Sequence, residues 1–224
     1  NIGGIANVTY LPAGARQEEV LAFDSGPGNM IIDYVVEWHT GGRLRFDEGG
    51  RLAAEGAIDE DLLGELMEHP YLAMPIPKTT GREEFGAQFA ERLVSRARAQ
   101  EMRGEDLIAT ATAFTAWSIA DAYRASLPTM PDEVILGGGG AQNAAMIQML
   151  EQALPGVTIR THRDLGMDDD AKEALAFAVL GYECWHGRPG NLPACTRAAR
   201  ALPLGKITPG ENYSQLLARL CLER

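Results

Sequence analysis

The sequence predicts an α/β protein with a mixed sheet, opening in an N-terminal antiparallel meander and flanked by helices. Short β-prone runs broken by glycine and polar turns crowd the N-terminal end. Longer segments with apolar residues at helical spacing follow. Toward the C-terminus a strand, a glycine run, a helix, a second strand and a second helix succeed one another. Such a β-α-β-α unit demands a mainly parallel sheet with helix cover.

In NIGGIANVTYL, Ile2 and the run Val8 to Leu11 read as two strands joined at Gly3 and Gly4, and Val20 to Phe23 reads as a third after the polar turn PAGARQEE. After the bend DSGPGN, Met30, Ile31, Tyr34, Val35 and Trp38 recur at helical spacing, so a helix is expected to run to Thr40–Gly42. Residues 43 to 83 hold a polar connection, a helix around Asp59 to Glu68, and the proline-rich YLAMPIPKTTGRE, read as an ordered loop. Helices are expected over Phe85 to Ala99 and Glu105 to Ser126. The closing unit comprises strand Glu133 to Leu136, helix Ala144 to Leu154, strand Val157 to Thr161 and helix Asp169 to His186. The sequence shows no internal repeat and no low-complexity tract.

The composition narrows the partner. With 224 residues, 46% hydrophobic and 23% charged, the chain can bury a substantial core. Its 31 acidic against 20 basic residues give a net charge of −11, which argues against nucleic acid or an anionic membrane surface and for a small molecule. Cys184, Cys195 and Cys221 form no CxxC pair and no even framework, as expected of reduced thiols. No apolar run approaches the roughly 20 residues that span a bilayer, and no leader pattern is visible, so a cytoplasmic enzyme or binding domain is expected.

Three stretches carry candidate chemistry. In FDSGPGNM, Asp24 is expected at a strand end, with Gly26 and Gly28 turning the backbone into a helix whose first N–H groups would attract an anion. Asp24 or Ser25 could simply cap that helix, or Asp24 could act as a general base beside a phosphate. Spacing leaves both open. In EVILGGGGAQN, four glycines after a strand allow a phosphate or a flat ligand to approach the backbone. The G-x-G-x-x-Q spacing, late in the chain, departs from the dinucleotide fingerprint. A purely structural turn would need fewer glycines.

In DDDAKEALAFAVLGYECWHG, the helix is apolar on nearly every side from Ala174 to Leu180 and is expected to be buried. Glu173 shares a stripe with Phe177, Leu180 and Cys184, which would draw its carboxylate inward, where burial raises a pKa. The competing reading is an exposed first-turn acid favoured by the helix dipole. Asp168 to Asp170 read as caps. Lys78 and Arg82 either hold an anion or lie in a solvated loop, and no histidine falls in a metal or triad spacing.

Together, NIGGIANVTYLP, FDSGPGNMIIDY, FDEGGRLAAEGAIDEDLL, YLAMPIPKTTGREEF, DLIATATAFTAWSIA, VILGGGGAQN and KEALAFAVLGYECWHGRPGNLPACT resemble consecutive motifs of the anhydro-N-acetylmuramic acid kinases, in family order across nearly the whole chain. The resemblance implies a ribonuclease H-like, actin-like ATPase lobe of the sugar kinase/Hsp70/actin superfamily, in which two lobes close around ATP. It implies that Gly3 and Gly4 belong to the second phosphate loop. It also implies that Gly137, Gly138, Gly139, Gly140 and Asn143 form the adenosine loop. Asp24 then matches the catalytic base and Glu173 a second carboxylate near the sugar. The implied cofactors are ATP and Mg²⁺, and the implied partner is an amino sugar recycled from peptidoglycan. Apolar helices could support a homodimer.

A GTSxDG-type first phosphate loop is found nowhere in these residues. The expectation is therefore that residues 1–224 form the second, nucleotide-binding lobe of a two-lobe kinase, with the first lobe absent, and that this length alone binds nucleotide weakly and turns over little or nothing. GGGGAQN and KTT also differ slightly from the commoner family spellings. A non-catalytic, actin-like nucleotide-binding module is the alternative; retention of both carboxylates and both glycine loops favours the kinase.

Overall fold

At the N-terminus, the double glycine limits the first strand to a single bridge. The computed structural model of the chain describes residues 1–168 and 171–222, with the side chains of 220–222 left aside. In it, Ile2 forms one isolated antiparallel bridge back to Ala6. The full strands are β1 (Ile5–Tyr10) and β2 (Leu21–Pro27), paired antiparallel with an irregularity between Ala6 and Asn7. The expected three-stranded meander is thus a two-stranded hairpin, because the turn at Gly3 and Gly4 consumes the residues that would have lengthened the first strand. β3 (Glu133–Leu136) and β4 (Thr158–Thr161) pair in parallel, as the β-α-β reading requires. The result is a mixed α/β architecture with one antiparallel and one parallel strand pair among the described residues.

Helix α1 (Asn29–His39) follows β2 directly and buries Ile31, Ile32, Val35 and Val36; of the expected stripe Ile31 and Val35 are buried, while Met30, Tyr34 and Trp38 are half-buried at its edge. The short α2 (Arg51–Glu55) is fixed by Asp47, whose buried carboxylate accepts from the Leu52 and Ala53 N–H groups at 2.8 and 2.9 Å. Next, α3 (Glu60–Met67) is capped by Asp59, whose side chain accepts from Leu62 N–H. The single helix expected over Phe85 to Ala99 is broken into α4 (Arg82–Phe85) and α5 (Ala87–Ala99). The break falls at Gly86, where a Cβ would lie 2.2 Å from the Arg82 carbonyl oxygen.

Helix α6 (Gly104–Ser126) is the axis of the core: α1, α2, α3, β2 and α7 (Ala144–Ala153) pack around it. Phe114 is fully buried on it, with Phe85 and Phe89 at ring distances of 6.3 Å. Burial of a ring of this size contributes about 1.5–3 kcal/mol. Its buried hydroxyls are all bonded, Thr112 to the Ile108 carbonyl at 2.8 Å and Thr115 to the Gly28 carbonyl at 2.9 Å. The second of these ties the core to the turn at the end of β2.

Helix α8 (Lys172–Trp185) departs from expectation. The predicted start at Asp169 and the supposed caps Asp169 and Asp170 lie outside the described residues. Instead of being buried, α8 exposes Leu175, Phe177, Val179 and Tyr182. Only its later turns are covered in part: Leu180 packs near Gly190, and Cys184 lies near Gly205. Glu173, two turns before that cover, is exposed, so the inward carboxylate is corrected to an exterior one. Two further helices, α9 (Pro193–Thr196) and α10 (Tyr213–Leu222), complete the described chain, α9 lying against β2. Among the described residues, no helix is long and apolar enough to cross a membrane.

Candidate functional site

The two glycine segments predicted to work together meet at Ile2. Its N–H donates to the Gly137 carbonyl at 2.7 Å, and its carbonyl accepts from Gly140 N–H at 2.9 Å and from the Asn29 side chain at 3.2 Å. One backbone residue therefore staples the hairpin turn to the end of β3. Gly138 has φ +83°, a left-handed conformation that glycine adopts without strain. The start of α1 completes the junction. N–H groups of Gly28, Asn29 and Met30 donate to the carbonyls of Gly4, Gly3 and Gly4 at 3.0, 2.7 and 3.1 Å.

This pattern corrects the expectation of free donors at the start of α1: those amides hold the double-glycine turn. Among the described residues, the N–H groups of Gly4 and Gly139 instead donate to no protein group, and both glycines are exposed. Exposed amides of residues that carry no side chain of their own suit close approach by an anion such as a phosphate.

Beside the junction opens a cavity of about 750 Å³ lined by Asn29, Asp33, Phe46, Glu48, Gln142 and Arg163, among others. Gly139 and Asn143 also border it. Its size falls within the range of small-molecule sites. Asn143 has a structural task as well, accepting from Met146 N–H at 2.9 Å as the cap of α7. Asp33 is half-buried, and that burial pushes its carboxyl up to about 6.

Asp24 occupies a different concavity, of about 390 Å³, with Asn7, Thr9, Lys78, Thr79 and Arg197. The two concavities share no lining residue. Asp24 lies within β2 rather than at its end, opposite Asn7. Oδ2 accepts from Thr79 Oγ1 at 2.7 Å and from Thr80 N–H at 2.9 Å, leaving Oδ1 with no partner among the described residues. Its backbone is held from both sides, N–H to the Lys78 carbonyl and carbonyl from the Tyr71 hydroxyl at 2.8 Å. The helix-cap reading of Asp24 fails, because Gly28 occupies the N-cap of α1; Ser25 is buried, donating to the Ala6 carbonyl. The hairpin carries Asp24 to within roughly 13 Å of Gly28 along the strand.

Lys78 neither holds an anion nor sits in a solvated loop. It is buried, donates to the carbonyls of Tyr71 and Leu72 at 3.1 and 2.8 Å, and burial lowers its pKa. It thereby fixes the proline-rich loop that presents Thr79 and Thr80 to Asp24. Arg82, by contrast, is exposed at the start of α4. Glu173 does not line either concavity. Its neighbour Lys172 donates to the Asn1 side chain at 2.6 Å, which sets the start of α8 beside the glycine junction.

The sequence reading passed over Asp33, Thr79 and Thr80. Asp33 carried a signal, a carboxylate four residues after Asn29 and so on the same helix face. Thr79 and Thr80 carried none, since the hydrogen bonds that give them meaning cross 55 and 56 positions of chain.

A family model described as anhydro-N-acetylmuramic acid kinase matches residues 1–210. The anhydro-N-acetylmuramic acid kinase of Caldanaerobacter subterraneus subsp. tengcongensis is 45% identical over 210 residues, covering 93% of this chain and 53% of that protein. That of Gloeobacter violaceus is 46% identical over 209 residues, covering 93% and 54%. That of Streptomyces coelicolor is 45% identical over 216 residues, covering 96% and 53%. The chain thus spans about half the length of the curated relatives it matches.

Proposed function

This chain belongs to the anhydro-N-acetylmuramic acid kinase family, and from that membership we propose that the whole protein uses ATP to open 1,6-anhydro-N-acetylmuramic acid and phosphorylate its O6. Residues 1–224 would be the nucleotide-binding lobe of a two-lobe kinase of ribonuclease H-like, actin-like type. The hairpin leading into α1, followed by the β-α-β-α unit, supports that assignment. The observation that carries the catalytic reading is the fixing of Asp24: Tyr71 and Lys78 hold its backbone, Thr79 and Thr80 hold one carboxylate oxygen, and the other oxygen stays available.

The nucleotide phosphates would lie on the exposed amides of Gly4 and Gly139, with the nucleoside in the 750 Å³ cavity. The sugar would lie near Asp24. The Asp24 carboxylate takes a proton from water as the water oxygen bonds to C1; the C1–O6 bond breaks, and O6 bonds to the γ-phosphorus as ADP leaves. The water proton ends on Asp24 and the product is the 6-phosphate. Glu173, exposed at the start of α8, is the second carboxylate that the family resemblance implies; it lines neither concavity, so the proposed proton transfer rests on Asp24 alone. Mg²⁺, when bound with the nucleotide, supplies neutralisation of phosphate charge. The donors at the junction are amides, and no cluster of three or more His, Cys, Asp or Glu placed for a metal occurs among the described residues.

The test is phosphoryl transfer by the whole protein in ¹⁸O-labelled water. The expected result is a 6-phosphorylated amino sugar with ¹⁸O at C1, formed one for one with ADP. Binding of ADP without any sugar product would instead support a non-catalytic nucleotide-binding module.

A further inference from the structure

Asp33 is a half-buried charged group of the 750 Å³ cavity that neither the fold nor the proposed chemistry uses. It stands on α1 one turn beyond Asn29, so the two project from one face about 6 Å apart along the axis. Asn29 belongs to the glycine junction: its amide bonds to the Ile2 carbonyl at 3.2 Å and sits 3.3 Å from where a Cβ on Gly139 would lie. Asp33 borders the cavity that opens from there. Among the described residues, its carboxylate receives no hydrogen bond and forms no ion pair. A half-buried carboxylate without a donor is a standing cost to the fold, relieved by any ligand that supplies hydroxyl donors.

The nucleotide reading of this cavity, on which the inference rests, says which donors those are. With phosphates at the junction, the part of a nucleotide one helical turn away is the ribose; the amino group of the base lies farther still. A carboxylate offers two acceptor oxygens to the two hydroxyls of a vicinal diol, the pairing that Asp or Glu makes with ribose in other nucleotide-binding folds. We infer that Asp33 accepts hydrogen bonds from the ribose 2′- and 3′-hydroxyls of the bound nucleotide and sets a preference for ribonucleotides over deoxyribonucleotides.

Calorimetric titration with ADP and with 2′-deoxy-ADP, at millimolar ligand and neutral pH, tests this on the wild-type chain, Asp33→Ala and Asp33→Asn. Thermal melts confirm folding. The wild type is expected to bind ADP roughly tenfold tighter than 2′-deoxy-ADP, the scale of one charge-assisted hydrogen bond. Asp33→Ala removes both hydroxyl bonds and is expected to lose more than tenfold for ADP and less, the share of the 3′-hydroxyl bond, for 2′-deoxy-ADP, so that it binds the two nucleotides alike. Asp33→Asn keeps the side-chain volume, removes the half-buried charge, and is expected to lose several-fold for ADP and less for 2′-deoxy-ADP; it decides the matter if the alanine variant does not fold. Equal binding of the two nucleotides by the wild type, or equal losses for both in the variants, overturns the role of Asp33 and leaves the cavity a nucleotide site. Absence of ADP binding to the wild type overturns the nucleotide reading itself.

Discussion

Replacing Asp24 by Asn in the whole protein is expected to lower sugar phosphorylation by about a hundredfold to ten-thousandfold, the contribution of a general base, and to leave the affinity for ADP unchanged. The amide is isosteric with the carboxylate, and its oxygen can still accept from Thr79 Oγ1 and Thr80 N–H. The proline-rich loop therefore stays anchored, while the group can no longer take a proton from water. Steady-state rates, an ADP titration and a melt of the same preparation separate the alternatives. Unfolding of the variant would make Asp24 an anchor for the loop, and full activity would remove it from the chemistry.

Gly28→Ala is expected to be strongly destabilising. The added carbon would stand 2.2 Å from the Gly3 carbonyl oxygen and 2.9 Å from the Ile5 carbonyl carbon, both backbone atoms with no rotamer to yield. The same place receives the Gly28 and Asn29 N–H bonds to Gly4 and Gly3 and the Thr115 hydroxyl bond. Overpacking of this kind costs about 1–3 kcal/mol or more. Because the displaced backbone is the proposed phosphate cradle, nucleotide binding should fall with stability. Gly64→Ala on α3 is the control. Nothing lies within 4 Å of a Cβ there, and exchanging a helical glycine for alanine should hold stability level or raise it by up to about 1 kcal/mol. Urea denaturation midpoints compare the two; a Gly28→Ala midpoint equal to wild type would show that the junction is not close-packed.

Where the sequence was legible, the reason was local. α1, α3, α6 and α7 follow from apolar spacing, and β3 and β4 from short β-branched runs ahead of turns. Gly86, extended at φ −82° and ψ −158°, splits α4 from α5 where only a residue without a Cβ fits against the Arg82 carbonyl, a feature that a helical pattern does not register. In α8 the pattern identified an apolar helix correctly, yet spacing reports which residues are apolar and not what covers them; Phe177 is 71% exposed. The candidate site shows the same division. Both glycine segments were visible as motifs, but their union through Ile2 and the capture of α1's first amides by Gly3 and Gly4 are long-range pairings. Asp24 could be singled out as a polar residue at a turn, whereas the threonines that fix it come from a loop more than fifty positions later.

The central claim is that the two glycine segments, stapled by Ile2, form one cradle for nucleotide phosphates. Backbone amide NMR of the chain during titration with ADP tests it most directly. The account predicts the largest shifts at the amides of Gly4 and Gly139, with Asn29 and Gly138 close behind, all moving along one binding curve. Shifts confined to the exposed face of α8, with Gly4 and Gly139 unmoved at saturating ADP, would contradict it.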